Sequence, residues 1–226
     1  MAPPRKLLIL DIDETLVYTR QYDSLESARR DHEYVISEKS FSCIVRNSLV
    51  VTRMRPGLRS FLTWCFANYD VAFWSAGVRE YVEKLVHIIL GDLGPDYVPV
   101  FVWSREHCVD ELSTEAPDAL GRLQKSTKLF DQICRGKTLG IVKPLWKVWK
   151  RKHGPEKKHY GPRETLHIDD HPHCYSRNYG NGIPIAPWRG DPDDDELVAV
   201  TNQLHDLLSA EDVRTVEKRW RVRHDA

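Results

Sequence analysis

The 226 residues show no net charge, no paired-cysteine motif and no long apolar run, and each absence removes a class of protein. Thirty-three Lys and Arg offset thirty-three Asp and Glu. No global field therefore steers the chain toward nucleic acid or an anionic membrane, and any polyanion binding must be local. Only five cysteines occur, at 43, 65, 108, 134 and 174, an odd number without a CxxC pair. That pattern argues against a disulfide-stapled secreted scaffold and for a reduced, intracellular protein, cytoplasmic or nuclear. The first apolar run is LLIL alone, where a secretion signal needs about seven to fifteen apolar residues. Nowhere do about eighteen follow one another, as a membrane span requires. Repeats and low-complexity segments are also missing. What is present, 41% hydrophobic and 29% charged residues, is the balance of a folded domain. A chain of this length buries about 70% of its unfolded surface and holds a core without staples.

Lys6 to Leu10 is a short apolar run followed by Asp11 and Asp13, which predicts a buried parallel strand with polar groups at its carboxyl end. From Tyr34 to Arg55 the text alternates through YVIS, FSCIVR and LVVTRMR, with Asn47-Ser48 as a turn, which predicts a hairpin or three-stranded flap. After Arg55-Pro56-Gly57, the residues Leu58, Phe61, Leu62, Cys65 and Phe66 recur at helical spacing. A strand at Asp70 to Trp74, a helix at Val78 to Leu90 and a strand at Val98 to Trp103 are predicted next. Lys137 to Val142 reads as strand, Leu145 to Lys152 as helix, Thr165 to Ile168 as strand and Asp195 to Leu208 as helix. The expected architecture is α/β: a Rossmann-like, mainly parallel sheet with flanking helices, a short β-ribbon flap at 34–55 and no large cap domain. Residues 1–210 then form a single domain, with a polar insertion at 110–136. The Gly, Pro and charge content of 153–163 reads as an exposed loop, and 211–226 as a charged tail.

Chemistry concentrates where strands hand over to loops. Asp11 and Asp13 emerge at the edge where ligands bind in open α/β sheets. Another predicted strand ends in Trp74-Ser75-Ala76-Gly77, Lys143 stands just before a helix, and a further apolar strand ends in Asp169-Asp170-His171-Pro172. Together these resemble, in order, the four motifs of the haloacid dehalogenase-like superfamily: DxDxT at Asp11, Asp13 and Thr15, then Ser75, Lys143 and the pair 169–170. DIDETLV, MRPGL, Arg105-Glu106-His107-Cys108-Val109, IVKPL and IDDHP are similar to landmarks of its small C-terminal-domain phosphatases, the NLI-interacting-factor-like family, over about residues 5–205. Two departures stand out, Asp169-Asp170 where that family commonly has Asp-Asn, and Ser75 where Thr is frequent. The stretch from Arg105 to Lys143 is also longer than in its small members.

Residue types alone support a phosphoryl-transfer role. A carboxylate at Asp11 can attack phosphorus and form an aspartyl phosphate, while Asp13 protonates the leaving alkoxide and then deprotonates water. An anionic nucleophile facing a phosphate dianion calls for a hard cation, and oxygen-only ligands select Mg²⁺. Its expected ligands are Asp11, Asp169, Asp170 and the backbone carbonyl of Asp13. Ser75 and Lys143 are expected to bind the transferred group, and Thr15 to brace the loop beside it. The resemblance further implies a phosphoserine or phosphothreonine peptide as substrate, with Arg105 contacting a second phosphate and Ile36, Phe41 and Ile44 forming an apolar pocket. Nucleic-acid ends or small phosphate esters are the alternative substrates. A receiver-like signalling domain would place its acceptor Asp at a later strand, and a phosphoprotein-binding module without catalysis would not need every one of these groups.

Other clusters have plainer readings. Asp191 to Glu196 is read as a helix cap and solvated loop. His107, Cys108, His171, His173 and Cys174 fit no standard zinc spacing. Trp146 and Trp149 with Lys147 and Lys150 are read as a buried i, i+3 pair, with a nucleic-acid surface as the weaker alternative.

Overall fold

A computed structural model describes residues 5–30, 40–45, 48–110 and 140–218. The chain runs through β1 (Leu7–Leu10), β2 (Val17–Tyr22), α1 (Leu25–Arg30), β3 (Ser40–Val45), β4 (Ser48–Met54), α2 (Leu58–Asn68), β5 (Asp70–Trp74), α3 (Arg79–Gly91) and β6 (Val102–Trp103). It continues through β7 (Val109–Asp110), β8 (Ile141–Val142), α4 (Trp146–Trp149), β9 (Lys152–His153), β10 (Lys158–His159), β11 (Thr165–Asp169), β12 (Gly182–Pro184) and α5 (Glu196–Leu207).

The central sheet has the order β12-β11-β1-β5-β6, and every pair in it is parallel. Side chains alternate across it with period two. Leu8, Leu10, Val71, Phe73, Leu166 and Ile168 join one core with Leu62 and Cys65 of α2, Val82 and Leu85 of α3, and Val200 and Leu204 of α5. Leu7, Ile9, Ala72 and Trp74 face the other way, onto Trp103, Leu145, Val148 and Tyr160. Both faces are covered, which is why β1 reads as an unbroken apolar run. The expected α/β fold is the one observed. Among the described residues no helix is long and apolar enough to cross a membrane.

The flap is a three-stranded antiparallel sheet in the order β2-β4-β3. Its third strand is Val17–Tyr22 from the motif-one loop, which the alternation in 34–55 did not reveal. The YVIS segment and Asn47 lie outside the described residues, as does 111–139, which holds most of the expected insertion.

Three expectations need correction. Ile141–Val142 does not extend the central sheet; it pairs antiparallel with β7, because Val109–Asp110 offers it a free edge. The expected strand at 98–103 reduces to Val102–Trp103. Residues 153–163 are not one open loop: β9 and β10 pair there, and Gly154 at φ 68° supplies the left-handed turn residue. Beyond α5, Val213 and Lys218 are buried and Gln203 donates to the Lys218 carbonyl at 3.0 Å, so these two positions of the expected tail pack against the domain while its other described residues stay largely exposed.

Candidate active site

Parallel strands share a carboxyl edge, so β1, β5 and β11 bring their following residues together there. The Asp11 N–H donates to the Ile168 carbonyl at 3.0 Å, and the Ser75 N–H to the Trp103 carbonyl at 3.0 Å. Lys143 arrives from outside the sheet, its N–H held by the Cys174 carbonyl at 2.8 Å. Its buried ammonium donates to Asp11 and, at 2.7 Å, to Asp169 Oδ2.

Burial works against this charge at Lys143, but the two carboxylates outweigh it and hold the ammonium protonated well above its ordinary range. Burial likewise raises Asp169, yet Lys143 and His167 outweigh it and hold that carboxyl low. At Asp11 burial wins: with Asp169 and Asp13 nearby and only Lys143 opposing, its pKa is pushed up to about 8. Burial also raises Asp13, against hydrogen bonds from Tyr81 and Ser75. One ammonium thus serves the three carboxylates of Asp11, Asp13 and Asp169, while Asp170, whose pKa is likewise raised by burial, has His171 beside it.

That surplus of carboxyl oxygens over cations fits a hard divalent cation. Side-chain ligand atoms of Asp169, Asp170 and His171 lie within 4.8 Å of one another, and His171 Nδ1 is 2.7 Å from Asp170 Oδ2. A histidine against a carboxylate is the outer arrangement that orients a metal ligand.

Motif two is built for close approach. Ser75 Oγ accepts from the Gly77 N–H at 2.9 Å and donates to Asp13 Oδ2 at 3.2 Å. A Cβ at position 77 would lie 2.7 Å from Tyr81 Cδ1, so only glycine lets α3 begin this near the carboxylates. Thr15 is buried and donates to Asp170 Oδ1 at 3.4 Å.

The sequence model of the NLI interacting factor-like phosphatases matches residues 6–214. The chain belongs to that family. Similar proteins of the family include the ubiquitin-like domain-containing CTD phosphatase of Arabidopsis thaliana, 30% identical over 96% of this chain and 51% of its own length. The ubiquitin-like domain-containing CTD phosphatase 1 of Rattus norvegicus is 26% identical over 99% of this chain and 57% of its own. The fission yeast RNA polymerase II CTD phosphatase Fcp1 shares the fold, with a TM-score of 0.50 at 18% identity over 90% of this chain and 50% of that one. The chain thus spans about half the length of the relatives it matches.

On this family scaffold the side chains of Asp11, Asp13, Ser75, Lys143 and Asp169 connect through hydrogen bonds and shared charge, with Thr15 and Asp170 adjoining. Arg105 is not among them: its side chain is exposed, although its N–H donates to the Gly77 carbonyl at 2.9 Å. Of the expected apolar pocket, Phe41 lines a cavity with Met54 and Leu58, Ile44 is exposed, and Ile36 lies outside the described residues.

Sequence reasoning missed several neighbours. Tyr81 donates to Asp13 and accepts from the Thr19 hydroxyl at 2.9 Å; a tyrosine in the core stripe of a helix beginning just after motif two was the available signal. His167 is fully buried, with Nε2 3.3 Å from Asp169 Oδ2. Arg55 is buried, donates to the Thr15 carbonyl at 3.0 Å, and meets Asp194 in a fork at 2.7 and 2.8 Å. Within the stretch 191–196, read as a helix cap and solvated loop, Asp194 alone departs from that reading, since it is the counter-charge of a buried guanidinium. The turn they brace carries Glu14 at φ 55°, a conformation costing a non-glycine residue about 1 kcal/mol or more. The Trp188 N–H also holds it, donating to the Glu14 carbonyl at 2.7 Å. Asp194→Asn keeps an acceptor but loses the charge, and should destabilise the fold by about 2 kcal/mol. An unchanged midpoint in urea denaturation would remove Arg55–Asp194 from the account of what braces motif one.

Proposed function

We infer that this chain is a Mg²⁺-dependent phosphatase that hydrolyses phosphate monoesters through an aspartyl phosphate, with phosphoserine or phosphothreonine in a protein as substrate. The observation that carries the reading is the pairing of Asp11 with a buried, doubly held Lys143 at a sheet edge, with Asp13 two residues away. Asp11 attacks phosphorus as the ester P–O bond breaks, and Asp13 hands its proton to the departing serine or threonine oxygen. Water then attacks the phosphorus, its proton passes to Asp13, and the bond to Asp11 breaks, releasing phosphate and restoring both groups. Lys143 holds Asp11 in place and offsets charge on the transferred group. Ser75 lies within reach of the same region through its contact with Asp13.

Asp11, Asp169, Asp170 and the Asp13 carbonyl would hold the Mg²⁺, whose chemistry is to neutralise the phosphoryl oxygens so that an anionic nucleophile can approach. The flap adds a three-stranded ribbon rather than a large enclosing cap among the described residues, and an open edge of this kind suits a side chain on a polypeptide. The named relatives, both called CTD phosphatases, support a protein substrate.

The experiment is turnover of p-nitrophenyl phosphate, then of phosphopeptides, 5′-phosphorylated oligonucleotides and small esters. EDTA should abolish activity and excess Mg²⁺ should restore it, with phosphopeptides the best natural-type substrates by kcat/KM. Full activity in chelator would end the metal-dependent reading, and a preference for oligonucleotide ends would replace the substrate.

A further inference from the structure

A cavity of about 600 Å³ has walls that grow from the active-site elements. One is α4, whose first residue, Trp146, follows Lys143 by three positions. The other is the Arg105–His107 turn, fastened to motif two through Gly77. The Lys150 ammonium lies 4.7 Å from the centre of the Trp146 ring, with that of Lys147 at 5.8 Å, and the Arg151 guanidinium lies 5.8 Å from the Trp103 ring. The carboxylate on the wall, Glu106, is engaged by Arg79.

Which ligand suits it follows from what the rings are already doing. A nucleic-acid base needs an open π face to stack on. Here cations sit against Trp146, and His107 stacks on Trp103 with 4.6 Å between ring centres and 7° between planes. The indoles hold cations in place, and the cavity offers positive charge on an apolar floor.

We propose that this cavity is an anion subsite that takes an acidic segment of the substrate protein, a second phosphate or a pair of carboxylates, while the phosphorylated residue lies at Asp11. The inference rests on the protein-phosphatase reading, but its test does not depend on turnover. Labelled peptides carry one phosphoserine and, about two to six residues away on either side, a second phosphoserine, Asp-Asp or Ala-Ala. They are titrated by fluorescence anisotropy against the full chain bearing Asp11→Asn, with and without Lys150→Glu and Arg151→Glu.

An acidic flank should tighten Kd about tenfold over Ala-Ala at a preferred spacing. The two charge reversals should erase that gain while leaving the Kd of the Ala-Ala peptide unchanged, and, in the chain that keeps Asp11, should leave p-nitrophenyl phosphate turnover unchanged. A gain for phosphoserine alone supports a phosphate subsite, and equal gains support general recognition of acidic side chains. No gain at any spacing, or a gain that survives both reversals, overturns the subsite even where the chain turns over p-nitrophenyl phosphate. A single-stranded oligonucleotide that binds through Lys150 and Arg151 while acidic peptides do not overturns it in favour of nucleic acid. Failure of the phosphatase reading shows separately, as absent turnover by the unaltered chain with Mg²⁺.

Discussion

Asp11→Asn should leave no measurable turnover of any phosphate ester, whereas Asp13→Asn should separate esters by leaving group. A neutral amide cannot attack phosphorus usefully, so the first change removes the covalent route altogether. In the second, an alkyl phosphate such as phosphoserine must expel an alkoxide that needs a proton, and its first step should collapse. Nitrophenolate leaves without one. With the nitrophenyl ester, Asp13→Asn should therefore phosphorylate Asp11 and then stall, because no base activates water. Rapid acid quench and intact-mass analysis would read a hydroxylamine-sensitive phosphoryl adduct. Its presence in Asp13→Asn and absence in Asp11→Asn is the expected pattern, and the reverse pattern would exchange the two roles. The structure adds a reason for care in reading Asp13: Tyr81 and Ser75 both donate to it, so the asparagine must keep those contacts, which thermal denaturation of the variant checks.

Lys143→Ala should lower kcat/KM by about a hundredfold or more, the scale of removing one preorganised donor from a site shielded from water. The geometry sharpens that expectation. Its ammonium is buried between Asp11 and Asp169, so its loss leaves two carboxylates repelling each other and the incoming phosphate. Lys143→Arg should not rescue, since a planar fork is too large for a pocket that admits a compact ammonium. Near wild-type kcat/KM in Lys143→Ala would mean that another cation does this work. Lys147, the nearest lysine in sequence, is a poor substitute because its ammonium lies over the Trp146 ring.

Much of the site was legible because its signals are local. An apolar run buried on both faces announces a central parallel strand, and acids directly after it must lie at the sheet's carboxyl edge. The helix at 79–91 showed its core stripe through Val82, Leu85, Val86 and Ile89. Arg55 illustrates what such signals leave out. An arginine ending an alternating strand looks like any surface residue, and only its approach to Asp194, 139 positions away, shows it to be a buried brace.

Local sequence was enough to specify the class of fold, the strand that carries Asp11 and Asp13, and the set of polar groups offered at strand ends. These follow from period and residue type, which act over a few neighbouring residues. It took the packed fold to show that Tyr81 donates to Asp13, that Val17–Tyr22 completes the flap, that Ile141–Val142 leaves the central sheet, and that Lys143 binds two carboxylates at once. The physical reason is common to all four. A buried polar group takes whichever partner packing brings within hydrogen-bond reach, and a strand takes whichever edge is free. Neither depends on separation along the chain.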